Sequence, residues 1–286
     1  MEKIAILTDS CADVPQELID QYHIYTVPMM VVSESMSYRD GIDITARDVY
    51  EMQKTQILKT SSPTGEDVIN TLEEIKKDGY SHVIILTIAS ALSGTINQIR
   101  IFAQSVDDLV VEVFDSKSAS IGNGAIVIEI ARLIERGFTF DKLKEKVNDI
   151  IQNTYVYFSI DTLEYLEKGG RIGKATAFVG SALKIKPILS FDKDNGTIYV
   201  PTKVRGSKKV KAQLIKLISK HIEENPGRQF NIIVADGGNS EEHKMLEEEL
   251  MQLYPQACQC INAKIGAALS TYLGSGLLGA GIQFID

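Results

Sequence analysis

The first half of this chain alternates two kinds of segment so regularly that one architecture follows. Short β-like runs at residues 4–8, 25–32, 83–88 and 110–114 are separated by helix-like stretches at 15–22, 48–55, 65–78 and 93–104. A further helix-like stretch, 122–136, follows the fourth run. Strands that are apolar along their length, and not only at alternate positions, belong to a sheet covered on both faces, and that is the parallel sheet of α/β proteins. Right-handed crossovers then put every strand C-terminus on one edge. In open sheets of this kind ligands bind outside that edge. Here the edge reads Thr8-Asp9-Ser10, then a loop through Ser90, Ser93, Gly94 and Thr95, then Asp115-Ser116.

The second half changes character. A helix-like stretch at 140–153 leads into β-like residues 155–160, with further runs at 188–191, 197–201, 230–235, 259–263 and 281–285. Asn195-Gly196 marks a hairpin turn, so some of these strands pair antiparallel. The expected fold is α/β in two domains: residues 1–155 around a parallel sheet and residues 156–286 around a mixed sheet. Residues 33–43 show no clear period and read as a surface hairpin or flap. With 286 residues, 44% of them apolar, the chain can build such cores. Early in the second half, Gly169-Gly170-Arg171 separates two apolar segments, and Lys186-Pro187-Ile188 closes the region. Glycines admit close backbone approach, and the arginine adds a fixed fork of donors. The tail from Gly274 to Gly281 reads as close backbone packing, since it does not open a long helix after a strand as a dinucleotide loop does.

Several function classes are disfavoured. The formal net charge is −8, which opposes general nucleic-acid binding. Cys11, Cys258 and Cys260 form no even framework and no metal-type spacing, and the reduced thiols suit a cytoplasmic protein. The histidines, at positions 23, 82, 221 and 243, are scattered, so no metal site is expected. Lys3 is followed by a strand-like run and not by a cleavable apolar segment.

Two places look built for an anion. Thr60-Ser61-Ser62-Pro63-Thr64 precedes a helical pattern, and Ser93-Gly94-Thr95 follows a strand and opens a helix. Helix N-termini expose unpaired N–H groups, and added hydroxyls make a seat for a carboxylate or phosphate. The plainer reading of each is a helix cap. Ser61 is surplus to a cap, and two such seats on one sheet edge favour a ligand. Neither carries the lysine of a nucleotide-binding loop. No nucleophile–base pair emerges, because Asp9-Ser10 and Asp115-Ser116 are adjacent strand residues that point to opposite faces.

Taken in order, Ile6-Leu7-Thr8-Asp9-Ser10, Thr60-Ser61-Ser62-Pro63, Ser93-Gly94-Thr95, Asp115-Ser116, Gly169-Gly170-Arg171-Ile172 and Lys186-Pro187-Ile188 resemble elements of the DegV family of bacterial lipid-binding proteins, over the whole chain. The resemblance implies a two-domain DegV-like α/β fold with one long-chain, palmitate-like fatty acid between the domains and no other cofactor. It places the carboxylate on Ser61 and Ser93, with Thr60, Gly94 and Tyr272 beside them and Thr95, Ser116 and Arg171 in support. Ile88, Phe158, Phe178 and Leu183 are candidates for the lining of an acyl tunnel, with ordinary core as the plainer reading of each. The resemblance also implies a carrier that is not catalytic alone. It would present the carboxylate to a separate ATP-dependent fatty acid kinase subunit, and the acyl phosphate would feed phospholipid synthesis. The cations near 203–211, Arg205, Lys208 and Lys209 above all, are the implied docking patch. Some carriers have a histidine where Tyr272 stands; a phenol donates a hydrogen bond but does not titrate near neutrality. Two alternatives stand beside this: an esterase-like enzyme using Asp9, Ser10 and Asp115, and a lipid-sensing regulator.

Overall fold

The computed structural model describes residues 2–179 and 185–285. Along the first half the elements are β1 (Ile4–Asp9), α1 (Gln16–Tyr22), β2 (Tyr25–Val27), β3 (Met30–Val32), β4 (Ser37–Arg39), α2 (Ala46–Met52), β5 (Lys59–Ser61), α3 (Gly65–Lys77), β6 (His82–Thr87), α4 (Thr95–Ala103), β7 (Val110–Asp115), α5 (Ile121–Glu135) and α6 (Phe140–Gln152). The second half continues with β8 (Thr154–Ser159), α7 (Glu164–Lys168), β9 (Ile185–Phe191), β10 (Ile198–Arg205), α8 (Val210–Glu224), β11 (Gln229–Gly237), α9 (Ser240–Leu253), β12 (Cys260–Lys264), α10 (Ala267–Leu273) and β13 (Leu277–Ile285).

The first sheet runs β2-β1-β6-β7, and each of its pairings is parallel. The chain therefore leaves β1 to one side and resumes on the other, so the ends of β1 and β6 form a topological switch point, where open sheets leave a crevice. The second sheet is mixed, in order β10-β9-β8-β13-β11-β12, with only the β11–β12 pair parallel. The Asn195-Gly196 turn joins β9 to β10, with Gly196 at φ +73°. The aperiodic residues after β3 form a small antiparallel flap of order β4-β3-β5. The β-like stretch 25–32 is thus two strands in two sheets, broken after Val27.

Helix α5 joins the two sheets. Twelve of its fifteen residues are buried, because it packs on β1 and β6 on one side and on β8, β11, β12 and β13 on the other. A surface helix would show one apolar stripe; α5 is apolar almost all round. On β13 the even positions Leu278, Ala280, Ile282 and Phe284 pack in the core beneath α8 and α9. The odd positions turn to the opposite face, where Leu277 joins the core between the halves. Gly281 is fixed there by its neighbours: a Cβ would come 2.5 Å from the Tyr155 carbonyl oxygen. No helix among the described residues is long and apolar enough to cross a membrane.

Candidate functional site

A narrow cavity opens between the two halves, at the switch point of the first sheet. Its walls are almost wholly hydrocarbon. Cys11 and Ile88 come from the ends of β1 and β6, Ala119 and Ile121 from the entry to α5, and Phe158, Ile233, Ala235 and Gly279 from the second sheet. Leu166 of α7 and Ala268, Leu269 and Leu273 of α10 close it. The Phe158 and Phe191 rings meet tilted at 32°, 5.6 Å between centres. Of the expected tunnel residues, Ile88 and Phe158 line the cavity, whereas Phe178 does not and lies 5.6 Å beneath the Lys203 ammonium. Leu183 falls outside the described residues.

Polar groups gather at one wall. The Thr60 amide donates to the Tyr272 phenol oxygen at 3.2 Å, and the Thr60 hydroxyl sits 3.1 Å from the same oxygen. With these two donors directed at it, the phenol keeps its own proton for another acceptor. Arg171 lies over the Tyr272 ring, 5.1 Å from its centre. Its Nε donates to the Leu92 carbonyl at 3.2 Å and its Nη1 to the Gly169 carbonyl at 2.6 Å. This explains the Gly169-Gly170-Arg171 pattern: a Cβ on Gly169 would stand 2.3 Å from Tyr272 Cδ1, so only glycine lets the ring lie against the turn. Ser93 also lines the wall, and its hydroxyl is 2.8 Å from that of buried Thr95, which donates in turn to Ser62 at 3.2 Å.

Thr60, Arg171 and Tyr272 have a second exposure. They also line a polar depression on the outer surface, together with Lys59, Gln56, Glu164 and Lys168. The polar wall is therefore a partition between a hydrocarbon chamber and the outside.

The structure brings together Thr60, Ser93, Arg171 and Tyr272, with Thr95 immediately behind. It does not bring Ser61 to the cavity. In β5 Thr60 pairs with fully buried Val31 and faces inward, so strand alternation turns the Ser61 side chain outward into solvent. Gly94 is exposed at the N-cap of α4. Ser116 is buried but spends its hydroxyl on the Ser118 carbonyl at 3.1 Å, shaping the loop that leads to Ala119. Arg205, Lys208 and Lys209 are exposed at the end of the edge strand β10 and the turn after it, away from the cavity walls.

The acids at the strand ends are engaged in fixing backbone. Asp9 accepts from the amides of Cys11 at 3.0 Å and Ile88 at 2.8 Å. Burial pushes its carboxyl up to about 7, opposed in part by those two amides. Asp115 accepts from Ser90 Oγ at 2.5 Å and from the amides of Ser90 and Lys117. Neither lines the cavity. Among the described residues no cluster of histidine, cysteine or carboxylate side chains could hold a metal ion. Sequence reasoning missed the walls supplied by α10, because Ala267-Ala268-Leu269-Ser270 is too short and too rich in small residues to signal a helix at a ligand.

A family model described as "Uncharacterised protein, DegV family" matches residues 3–284. A DegV domain-containing protein of Clostridium acetobutylicum is 35% identical over 279 residues, 98% of either chain. The crystal structure of DegV from Bacillus subtilis, described as a fatty acid binding protein, superposes with a TM-score of 0.89 at 31% identity, covering 100% of both chains. A stearic-acid-binding protein from Eubacterium ventriosum superposes with a TM-score of 0.90 at 26% identity, covering 99% of this chain and 98% of that one.

Proposed function

The chain belongs to the DegV family, and on that footing we propose that it is a fatty-acid carrier of the cytoplasm. One long-chain fatty acid, of palmitate type, lies in the cavity between the halves. Its carboxylate rests against Thr60, Ser93 and Tyr272, with Arg171 as the nearest cation and Thr95 holding Ser93. Ser61 and Gly94, one position beyond Thr60 and Ser93, lie outside the head-group site. The observation that carries this reading is the partition: an apolar chamber with hydroxyls and a guanidinium at one wall, and that wall open to a polar surface on its other side.

The energetics agree. Each buried methylene is worth about 0.8 kcal/mol, so a sixteen-carbon chain supplies on the order of 10 kcal/mol before losses of motional freedom. An unpaired carboxylate would be prohibitively costly inside, whereas one held at the wall keeps hydrogen bonds. Thr60→Val with Ser93→Ala removes two hydroxyls, one that orients the Tyr272 phenol and one on the wall itself, each worth about 1 kcal/mol. The expected result is a roughly thirtyfold loss of palmitate affinity in a binding titration. Ser61→Ala is the control and should leave affinity unchanged. A full-strength double variant would show that the head group sits elsewhere.

The carboxylate is then placed for a reaction made by another protein. A carboxylate oxygen attacks the γ-phosphorus of ATP on a separate kinase subunit, ADP leaves, and an acyl phosphate is formed. The cations Arg205, Lys208 and Lys209 supply the docking surface. Acyl phosphate should appear only when this chain, the kinase subunit and ATP are combined, as read by trapping with hydroxylamine. Product from this chain and ATP alone would replace the carrier reading with an enzymatic one.

A further inference from the structure

Helix α10 belongs to the second half in sequence, yet the first half holds its backbone. The Gly266 amide donates to Asp13 Oδ1 at 2.9 Å, and the Ala267 amide donates to Asp40 Oδ1 at 2.8 Å. The other oxygen of each carboxylate is also fixed. Ser120 Oγ donates to Asp13 Oδ2 at 2.6 Å, and Ser10 Oγ donates to Asp40 Oδ2 at 2.7 Å. At the far end of the helix, Gln53 Nε2 donates to the carbonyls of Ser270 and Thr271 at 3.4 and 2.9 Å. Ser120 borders the cavity and Gln53 and Thr271 border the outer depression, whereas neither Asp13 nor Asp40 lines either one; the helix they hold carries Tyr272.

We infer that Asp13 and Asp40 are positioning residues for head-group binding: by clamping the first amides of α10 they fix the rotation and depth of that helix, and so place the Tyr272 hydroxyl against Thr60. The inference rests on the fatty-acid reading above. The geometry explains why both positions need a side chain with two hydrogen-bonding atoms. One oxygen faces the helix amide, and the second is anchored by a serine of the first half, so the carboxylate transmits the position of one half to the other. Asparagine has the same shape. Its carbonyl oxygen can take the helix amide, and the serine hydroxyl can turn to accept from its NH2. Alanine breaks the link.

The discriminating measurement compares palmitate with hexadecanol, which has the same chain and no carboxylate. For Asp40→Ala the expected result is a tenfold loss of palmitate affinity with hexadecanol affinity held within twofold. Asp40→Asn should restore the preference for the acid, and Asp13→Ala and Asp13→Asn should behave alike. Should Asp40→Ala fail to fold, Ser10→Ala loosens the same carboxylate from its anchor and should lose about threefold for the acid alone. Equal losses for acid and alcohol, or an unchanged preference for the acid in the alanine variants, overturn the positioning role. A wild-type protein that binds neither lipid overturns the fatty-acid reading itself, and this inference with it.

Discussion

Replacing Ala235 by phenylalanine is expected to weaken binding of long-chain fatty acid roughly a hundredfold while the protein stays folded. Ala235 sits on β11 with its methyl group against the cavity and is buried. Its strand neighbour Val234 points the other way, into the core beneath α8 and α9. A ring at position 235 is therefore directed into the cavity. It displaces about four methylenes of an acyl chain, a loss of about 3 kcal/mol, or roughly a hundredfold in affinity. Filling space that is already empty avoids most of the strain of overpacking a tight core. The check is palmitate titration beside thermal unfolding. Full affinity in a folded variant would mean that the acyl chain lies elsewhere.

The second large effect is on stability. Asp9 has no exposed surface, and burial lifts its carboxyl from 3.8 to about 7. Burial lifts Asp13 likewise, to about 8. Asp13 keeps some surface open to solvent, so its contribution is discounted and Asp9 carries the argument. Between pH 4 and 7 the folded protein holds a proton on Asp9 that the unfolded chain has released. The stabilisation is complete below about pH 4 and is lost as pH rises through 7, since the folded state must then bury a charge. For Asp9 alone the swing between pH 4 and pH 8 is about 4 kcal/mol. Urea midpoints should therefore fall from pH 5 to pH 8, and Asp9→Asn should flatten that slope. A midpoint that rises over this interval in wild type would contradict the buried protonated acid.

The parallel sheet was legible because its strands are apolar throughout and its helices fall between them; nothing nonlocal is needed to read that rhythm. The hairpin at Asn195-Gly196 was legible for the same reason, since the turn chemistry is local. The hydroxyl wall was legible in part. The stretch 60–62 announced itself, but which residue faces the ligand depends on the pairing of β5 with β3, and a shift of one residue reverses the face. Ser61 was the more conspicuous reading and Thr60 is the inward side chain. Asp13 and Asp40 were not legible at all as partners of α10. Their role depends on contacts with residues hundreds of positions away, and no local pattern encodes such a contact. The break of residues 25–32 into two strands was hidden because both pieces are equally apolar.

The two carboxylate bonds to α10 span 253 and 227 residues of sequence. A ribosome releases Asp13 and Asp40 long before it releases the amides they will bind. Until then the nascent first half holds two inward-facing acids without their partners, and α2 without the helix that packs on it. The α10 wall of the chamber, and the amides that these two acids hold, are therefore among the last parts of it to be supplied.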